Sequence, residues 1–199
     1  MEKFYLEEPS MERKEEALEY IKEILDNNKS ETDGTNKLKY YIDDYEDWVM
    51  KVENDEKIIP SEDSVPAKTY FFVRKSDNRI IGMTHIRLTL NKMLEDIGGH
   101  IGYNIRPSER HKGYNKIQLY LALFECKKNG LGIIMLDCLK DNLGSSKTIT
   151  SLGGYLVKEE EKTLHGEKVT IQDYNINVDE SLEKYKDIYA KYISNQNIK

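Results

Sequence analysis

Residues 106–116 read RPSERHKGYNK and gather Arg106, Arg110, Lys112 and Lys116 against a single acid, Glu109. The stretch before them, HIGYNI over 100–105, has strand character and is stopped by Pro107. A helical pattern begins near Gly113, so the cations fall where a strand hands over to a helix. Backbone N–H groups at a helix start have no internal acceptor and sit at the positive end of its dipole. That place suits an anion, phosphate above all. Gly113 lets the backbone approach a ligand with no Cβ in the way. On the residues alone a second reading stays open, a basic loop that merely caps a helix.

Other chemistries lack their residues. The chain has no Gly-x-x-x-x-Gly-Lys-Ser/Thr phosphate loop, no strand–GxGxxG–helix fingerprint and no Gly-x-Ser-x-Gly elbow. Its four histidines and two cysteines are isolated, so no metal site is expected. Cys126 and Cys138 do not make a disulfide framework. The opening MEKFYLEEPS has no apolar segment of the signal-peptide kind, and no run is long enough to span a bilayer. A cytoplasmic setting is expected. The net charge of −6 argues against general nucleic-acid binding, which needs clustered cations. The charge is uneven: residues 1–63 hold 20 acids and 9 bases, and residues 64–199 hold 16 and 21.

The elements that must position the loop follow from periodicity. A short extended start over 3–8 leads to a helix whose N-cap is read as Ser10, with Ala17, Leu18, Ile21, Ile24 and Leu25 at helical spacing. A polar loop, 27–36, separates it from a second helix with the stripe Leu38, Ile42, Tyr45, Val49 and Val52. Segments 68–75 and 79–90 read as a hairpin about Ser76-Asp77-Asn78. Residues 91–97 form a short helix or loop ending at Gly98-Gly99. After the strand at 100–105 come a helix over 113–128, a buried strand over 132–138 and a helix over 143–152. Strands 155–161 and 167–177 turn at Leu164-His165-Gly166, and an amphipathic helix over 179–193 closes the chain. The strand–helix–strand passage across 100–138 predicts a right-handed parallel crossover. One mixed α/β domain over 1–199 is expected: a helical part over 1–63, a sheet core over 64–178 and a terminal helix over 179–199.

The residues now resemble a family. Arg110-x-x-Gly113-x-Asn115, preceded by a strand and Arg106-Pro107, is similar to the Arg/Gln-x-x-Gly-x-Gly/Ala loop of GNAT-type N-acetyltransferases. The stretches GGHIGYNIRPSERHKGY, DNLGSSKTITSLGGY and IIGMTHIRLTLN resemble a bacterial branch of it, across roughly residues 60–160. The resemblance implies a mostly antiparallel sheet with a central, splayed parallel strand pair, flanked by helices. It also implies acetyl-CoA as co-substrate and no metal. Arg110, His111, Lys112, Gly113, Tyr114 and Asn115, with Lys116, would bind the pyrophosphate. Tyr103, Asn104 and Ile105 would pair with pantetheine. Asn142 and Ser145 would line the cofactor arm, and Asn142 also reads as an N-cap. Two positions depart from the pattern. Asn115 stands where Gly or Ala is usual and would reshape the turn. Ile149 stands where many members carry a tyrosine acid, leaving Tyr155 or water to protonate the thiolate.

Acetyl transfer to an amine calls for a base, because the amine is protonated near neutrality. His100 titrates in that range and is the first candidate, against a structural histidine beside Gly98-Gly99. Glu95 and Asp96 are weaker ones. Arg87 would bind a substrate carboxylate or an acid of the chain itself, and Asn91 lies nearby. Tyr40, Tyr41, Tyr45 and Trp48 are core or an aromatic wall, and Cys138 is an acylation site or a small buried hydrophobe. The acceptor expected is a primary amine of a small molecule or peptide, attacked on the acetyl group directly. A homodimer is compatible with this, and neither nucleic acid nor membrane is expected as partner. A non-catalytic acyl-CoA-binding regulatory module is the alternative.

Overall fold

The computed structural model describes residues 1–27, 32–164 and 166–194. Chain order runs β1 (Phe4–Glu7), α1 (Lys14–Asn27), α2 (Tyr45–Asp55), β2 (Ala67–Arg74), β3 (Arg79–Arg87), α3 (Lys92–Asp96), β4 (Ile101–Ile105), α4 (Tyr114–Lys128), β5 (Ile133–Leu139), α5 (Leu143–Thr150), β6 (Tyr155–Leu164), β7 (Glu167–Asn177), α6 (Val178–Lys184) and α7 (Lys186–Tyr189). Two sheets form, ordered β1-β2-β3-β4 and β5-β7-β6.

Each helix is placed by its apolar stripe. Ala17, Tyr20, Ile21 and Ile24 of α1 and Tyr45, Trp48, Val49 and Val52 of α2 recur at three and four and are buried. They cover one face of the first sheet through Phe71, Val73, Ile80 and Met83. Alternation along the strands turns Phe4, Phe72 and Ile81 to the other face, under α4. Ile134, Leu136 and Cys138 of β5 join that same core, so α4 underlies both sheets. It is accordingly buried nearly all round, from Ile117 to Leu123 and at Cys126. Each fully buried Leu or Ile there contributes about 1.5–3 kcal/mol.

Among the described residues both sheets pair antiparallel, and β4 and β5, expected as a splayed parallel pair, share no ladder. β4 is paired along its length with β3 and meets β5 through His100, whose N–H reaches Met135 O at 2.8 Å. Gly99 takes a positive φ and sits so close to the Met135 carbonyl that a Cβ would stand 2.5 Å from it. The second helix does not run from residue 38. Asn36 and Lys37 have left-handed backbone, Leu38–Tyr40 is one 3-10 turn, and α2 starts only at Tyr45, which leaves Ile42 exposed. The terminal helix is divided at Tyr185 into α6 and α7. Ser10 precedes a 3-10 turn and makes no side-chain cap. Part of the polar loop, 28–31, and His165 of the last turn lie outside the described residues.

Among the described residues no helix is long and apolar enough to cross a membrane. No group of three or more His, Cys, Asp or Glu among them is arranged to hold a metal.

Candidate active site

The basic loop folds as strand, turn and helix. Pro107–Glu109 makes a 3-10 turn, His111 has φ 62° and Gly113 has φ 78°, and α4 begins at Tyr114. The left-handed angle at Gly113 is what calls for glycine, since a Cβ there would meet nothing within 4 Å. The first amides of a 15-residue helix therefore open onto accessible ground. His111 and Lys112 are exposed beside them, with Lys116 half-buried. Arg110 is held from behind, its Nε donating to Ile105 O at 3.1 Å.

The structure separates charges that the sequence counts alike. Arg106 is fully buried, with its guanidinium against Glu19 at 2.9 Å and Glu23 at 2.8 Å of α1, and over the Tyr20 ring. It anchors the turn and does not face the helix start. Glu109, 4% exposed, accepts from Arg74 at 2.9 and 3.1 Å and from Lys112 at 2.7 Å. Burial alone would raise its pKa, but the bonds from Arg74 and Lys112 outweigh it and hold the carboxyl below the usual range. Lys112 thus has an acid partner within the chain.

Beyond the His100–Met135 contact, no strand pairing joins the rest of β4 to β5 among the described residues. A side-chain contact runs from β4 to α5. Tyr103 Oη lies 2.9 Å from Ser145 Oγ, in the first turn of α5. Asn142 Oδ1 accepts from Ser145 N at 3.0 Å, which makes Asn142 the N-cap of α5 and fixes where that hydroxyl stands. Burial pushes the Tyr103 phenol up and the Cys138 thiol up to about 11, and Ser145 is a hydrogen-bond partner of both. Cys138 is therefore a buried thiol packed in the core. Asn115 turns its amide to Thr148 Oγ1 of α5, away from the loop amides. Its side chain thus ties α4 to α5 and does not crowd the turn. Ile149 is fully buried.

His100 is doubly engaged. Its Nδ1 accepts Met135 N–H at 3.0 Å, so a neutral ring carries its proton on Nε2 and offers a donor. Burial pushes its pKa below the ordinary value. Both features disfavour the base role. Arg87 Nη1 donates to Gly98 O at 2.8 Å and Gly99 O at 2.9 Å, where either a substrate carboxylate or an acid had been expected. Asn91 caps Leu94 N at 3.0 Å and donates to Glu62 O at 2.8 Å. Arg87 and Asn91 together brace the 91–99 segment. Glu95 is exposed, and Asp96 is paired with Lys162 at 2.7 Å. Tyr155 stands exposed at the start of β6, beside a cavity of about 100 Å³ that it shares with Leu152, Lys184 and Tyr185. No residue of 100–116 lines that cavity. Tyr40 is exposed, whereas Tyr45 and Trp48 are core.

Two residues escaped sequence reasoning. Asp137 of β5 stands directly opposite Asp173 of β7, and Asp137 Oδ2 accepts Gly98 N–H at 2.9 Å. The signal for Asp137 was a charge inside the otherwise apolar run GIIMLDC. The arrangement as a whole offers an anion cradle at α4, a slot between β4 and β5, a hydroxyl pair on one side of β5 and two carboxylates on the other.

The model of the acetyltransferase (GNAT) family matches residues 18–153. Among curated proteins none matches the chain. Among solved structures, the fold is similar to ribosomal-protein-S5-alanine acetyltransferase from Vibrio fischeri, with TM-score 0.68 and 16% identity over 90% of this chain and 95% of that one. It is similar to Mycobacterium smegmatis RimJ in complex with CoA-disulfide, with TM-score 0.67 and 15% identity over 95% and 90%. It is also similar to a chimera of spermidine N-acetyltransferase SpeG from Vibrio cholerae and hSSAT, with TM-score 0.61 and 14% identity over 91% and 99%. At these identities the likeness is one of fold.

Proposed function

The chain belongs to the acetyltransferase (GNAT) family, and from that premise we propose that it moves an acetyl group from acetyl-CoA to a primary amine of a small molecule or peptide by direct attack. One observation carries the reading: the open N-terminus of α4 at Gly113 adjoins β4, whose edge toward β5 carries no ladder beyond the His100–Met135 contact.

The residues present fit acetyl-CoA. The amides of Gly113 to Lys116, with Arg110, His111 and Lys116, would hold the pyrophosphate. Lys112 adds less, because Glu109 already pairs it. The β4 edge at Tyr103, Asn104 and Ile105 would hold the pantetheine arm as the added partner of a splayed strand, with Asn142 and Ser145 along its course. When bound, acetyl-CoA supplies an activated acyl thioester. A backbone N–H of β4 would stabilise charge on the carbonyl oxygen. The Tyr103–Ser145 hydroxyl pair would give the leaving sulfur its proton, in place of Tyr155; the 2.9 Å contact between the two hydroxyls supports this. His100 serves as a strut at the mouth of the slot.

The acceptor is read from charge. The acids of residues 1–63 and the carboxylates of β5 and β7 favour a cationic amine. Among the relatives compared, names specify a ribosomal-protein alanine and spermidine as acceptors, both amines. A free-thiol release assay over amines, amino acids and peptides tests the proposal, paired with acetyl-CoA calorimetry. Turnover with at least one amine is expected. Absence of both binding and turnover at millimolar acetyl-CoA overturns it.

A further inference from the structure

Asp137 and Asp173 are direct partners across the β5–β7 ladder, so their carboxylates stand on one face of the sheet. Like charges opposed in this way destabilise a sheet. The placement is harsher for Asp173, which is 8% exposed, with Oδ1 buried and no hydrogen bond from any described residue. Buried polar atoms left without a partner are rare enough to require a cause.

The nearby cations do not supply one. Lys158 is opposite Asp173 in the β6–β7 register, but its Nζ bonds Glu160 at 2.6 Å. Lys162 is bonded to Asp96 at 2.7 Å and lies 3.7 Å from Glu160. Arg87 senses the charges of Asp137 and Asp33, yet its Nη1 is held by the Gly98 and Gly99 carbonyls. Burial first, and then the charge of Asp137, push the Asp173 pKa above the usual range. The charges of Lys162 and Lys158 reach Asp173 and that of Arg87 reaches Asp137, but among the described residues no ion pair holds either carboxylate.

Alternation along β5 sets where this pair looks. Ile134, Leu136 and Cys138 point into the core under α4, on the side of Tyr103 and Ser145. Met135 and Asp137 point the other way. Asp137 touches the Gly98 amide beside the His100–Met135 junction, at the mouth of the slot. Asp173 lies one strand further out, about 5 Å away by ordinary strand spacing. A group bound there is close to the slot and displaced from it.

We propose that Asp173 and Asp137 bind a second cationic group of the acceptor, so that the preferred substrates are short diamines carrying one ammonium on this pair while the other nitrogen enters the slot. This rests on the acetyl-transfer reading above. The same pair explains why an unsatisfied carboxylate is retained at a cost to the sheet.

The test compares α,ω-diamines with monoamines of equal length, in the parent and in Asp173→Asn and Asp137→Asn. Each asparagine keeps an acceptor oxygen and removes a charge. Expected are a lower KM for diamines than monoamines in the parent and a rise of at least tenfold in diamine KM in Asp173→Asn. Monoamine KM and acetyl-CoA Kd should stay within twofold. A Tm for Asp173→Asn at or above that of the parent is also expected. Equal KM for both amine classes in the parent, or an Asp173→Asn variant that leaves diamine KM unmoved, overturns the proposal. If no amine is turned over, diamine calorimetry on the CoA-bound protein still decides, because binding must weaken in Asp173→Asn. Loss of acetyl-CoA binding in the parent strikes instead at the acetyl-transfer reading.

Discussion

His100 and Met135 are joined twice, by His100 N to Met135 O at 2.8 Å and by Met135 N to His100 Nδ1 at 3.0 Å. The first bond needs no side chain, so any residue but proline at position 100 keeps it. The second is the imidazole's own. His100→Ala leaves the Met135 amide without its acceptor, at about 1–3 kcal/mol of stability. The same variant should leave the pKa values of the kcat/KM profile in place, because Nδ1 is already occupied. His100→Asn, which restores an acceptor, should recover part of the stability. Loss of a titrating limb from the profile of His100→Ala would make the imidazole the base after all.

Tyr103 and Ser145 share one hydrogen bond across the slot, so either can pass a proton and the other can orient it. Ser145→Ala should lower kcat by about 100-fold, the lower end of general-acid effects. Its acetyl-CoA KM should move less than threefold, because Asn142 still caps α5. Tyr103→Phe should cost less where Ser145 alone can donate. The double variant should fall no further than Ser145→Ala if the two act as a unit. Equal kcat in the parent and Ser145→Ala would remove the pair from the mechanism.

Within the basic loop, Arg110 and Glu109 predict opposite phenotypes. Arg110→Glu brings a negative charge to the pyrophosphate ground and should weaken acetyl-CoA binding at least tenfold by calorimetry, with a small change in Tm. Glu109→Ala leaves Arg74 and Lys112 without their shared acid inside the fold. Arg74 keeps its pair with Asp77 and Lys112 is half exposed, so the cost is that of the lost charge-assisted hydrogen bonds, about 1–3 kcal/mol. Its main effect should therefore be a fall in Tm. A stable Glu109→Ala variant with normal affinity would show that the turn does not depend on this hub.

Much of this was legible because the pattern and the fold ask the same thing of each residue. The hairpin about Ser76-Asp77-Asn78 and the helix after Gly113 formed where turn chemistry and periodicity placed them. The Asn142 cap was legible for the same reason. The loop's charge count misled because composition cannot say which cation is buried. Arg106, grouped with the ligand-facing bases, is tied to Glu19 and Glu23 more than 80 residues earlier. The stripe from Leu38 to Val52 has helical spacing, yet left-handed Asn36 and Lys37 start a single tight turn and the chain restarts at Tyr45. Asp173 was hidden because an alternating strand gives no sign of which polar side is covered. Its partner is set by register with a strand more than 30 residues earlier.

His85 of β3 is half-buried, with Nδ1 3.0 Å from Thr69 Oγ1, and burial pushes its pKa down to about 3, helped by the charges of Arg87, Lys51 and Lys37. In the unfolded chain the same imidazole titrates near 6.5. Between those values the unfolded state holds the proton and the folded state does not. Stability therefore rises with pH across that window and is lost as the pH falls through it. The slope from one such group is about 1.4 kcal/mol per pH unit. His100, whose pKa is also lowered by burial, adds in the same direction. Urea melts from pH 7 to pH 4 should show this acid loss. His85→Gln, which keeps an amide for Thr69 and has no titrating ring, should flatten it while leaving stability at pH 7 less affected than at pH 4. An unchanged slope in His85→Gln would mean that the acid sensitivity comes from the carboxylates instead.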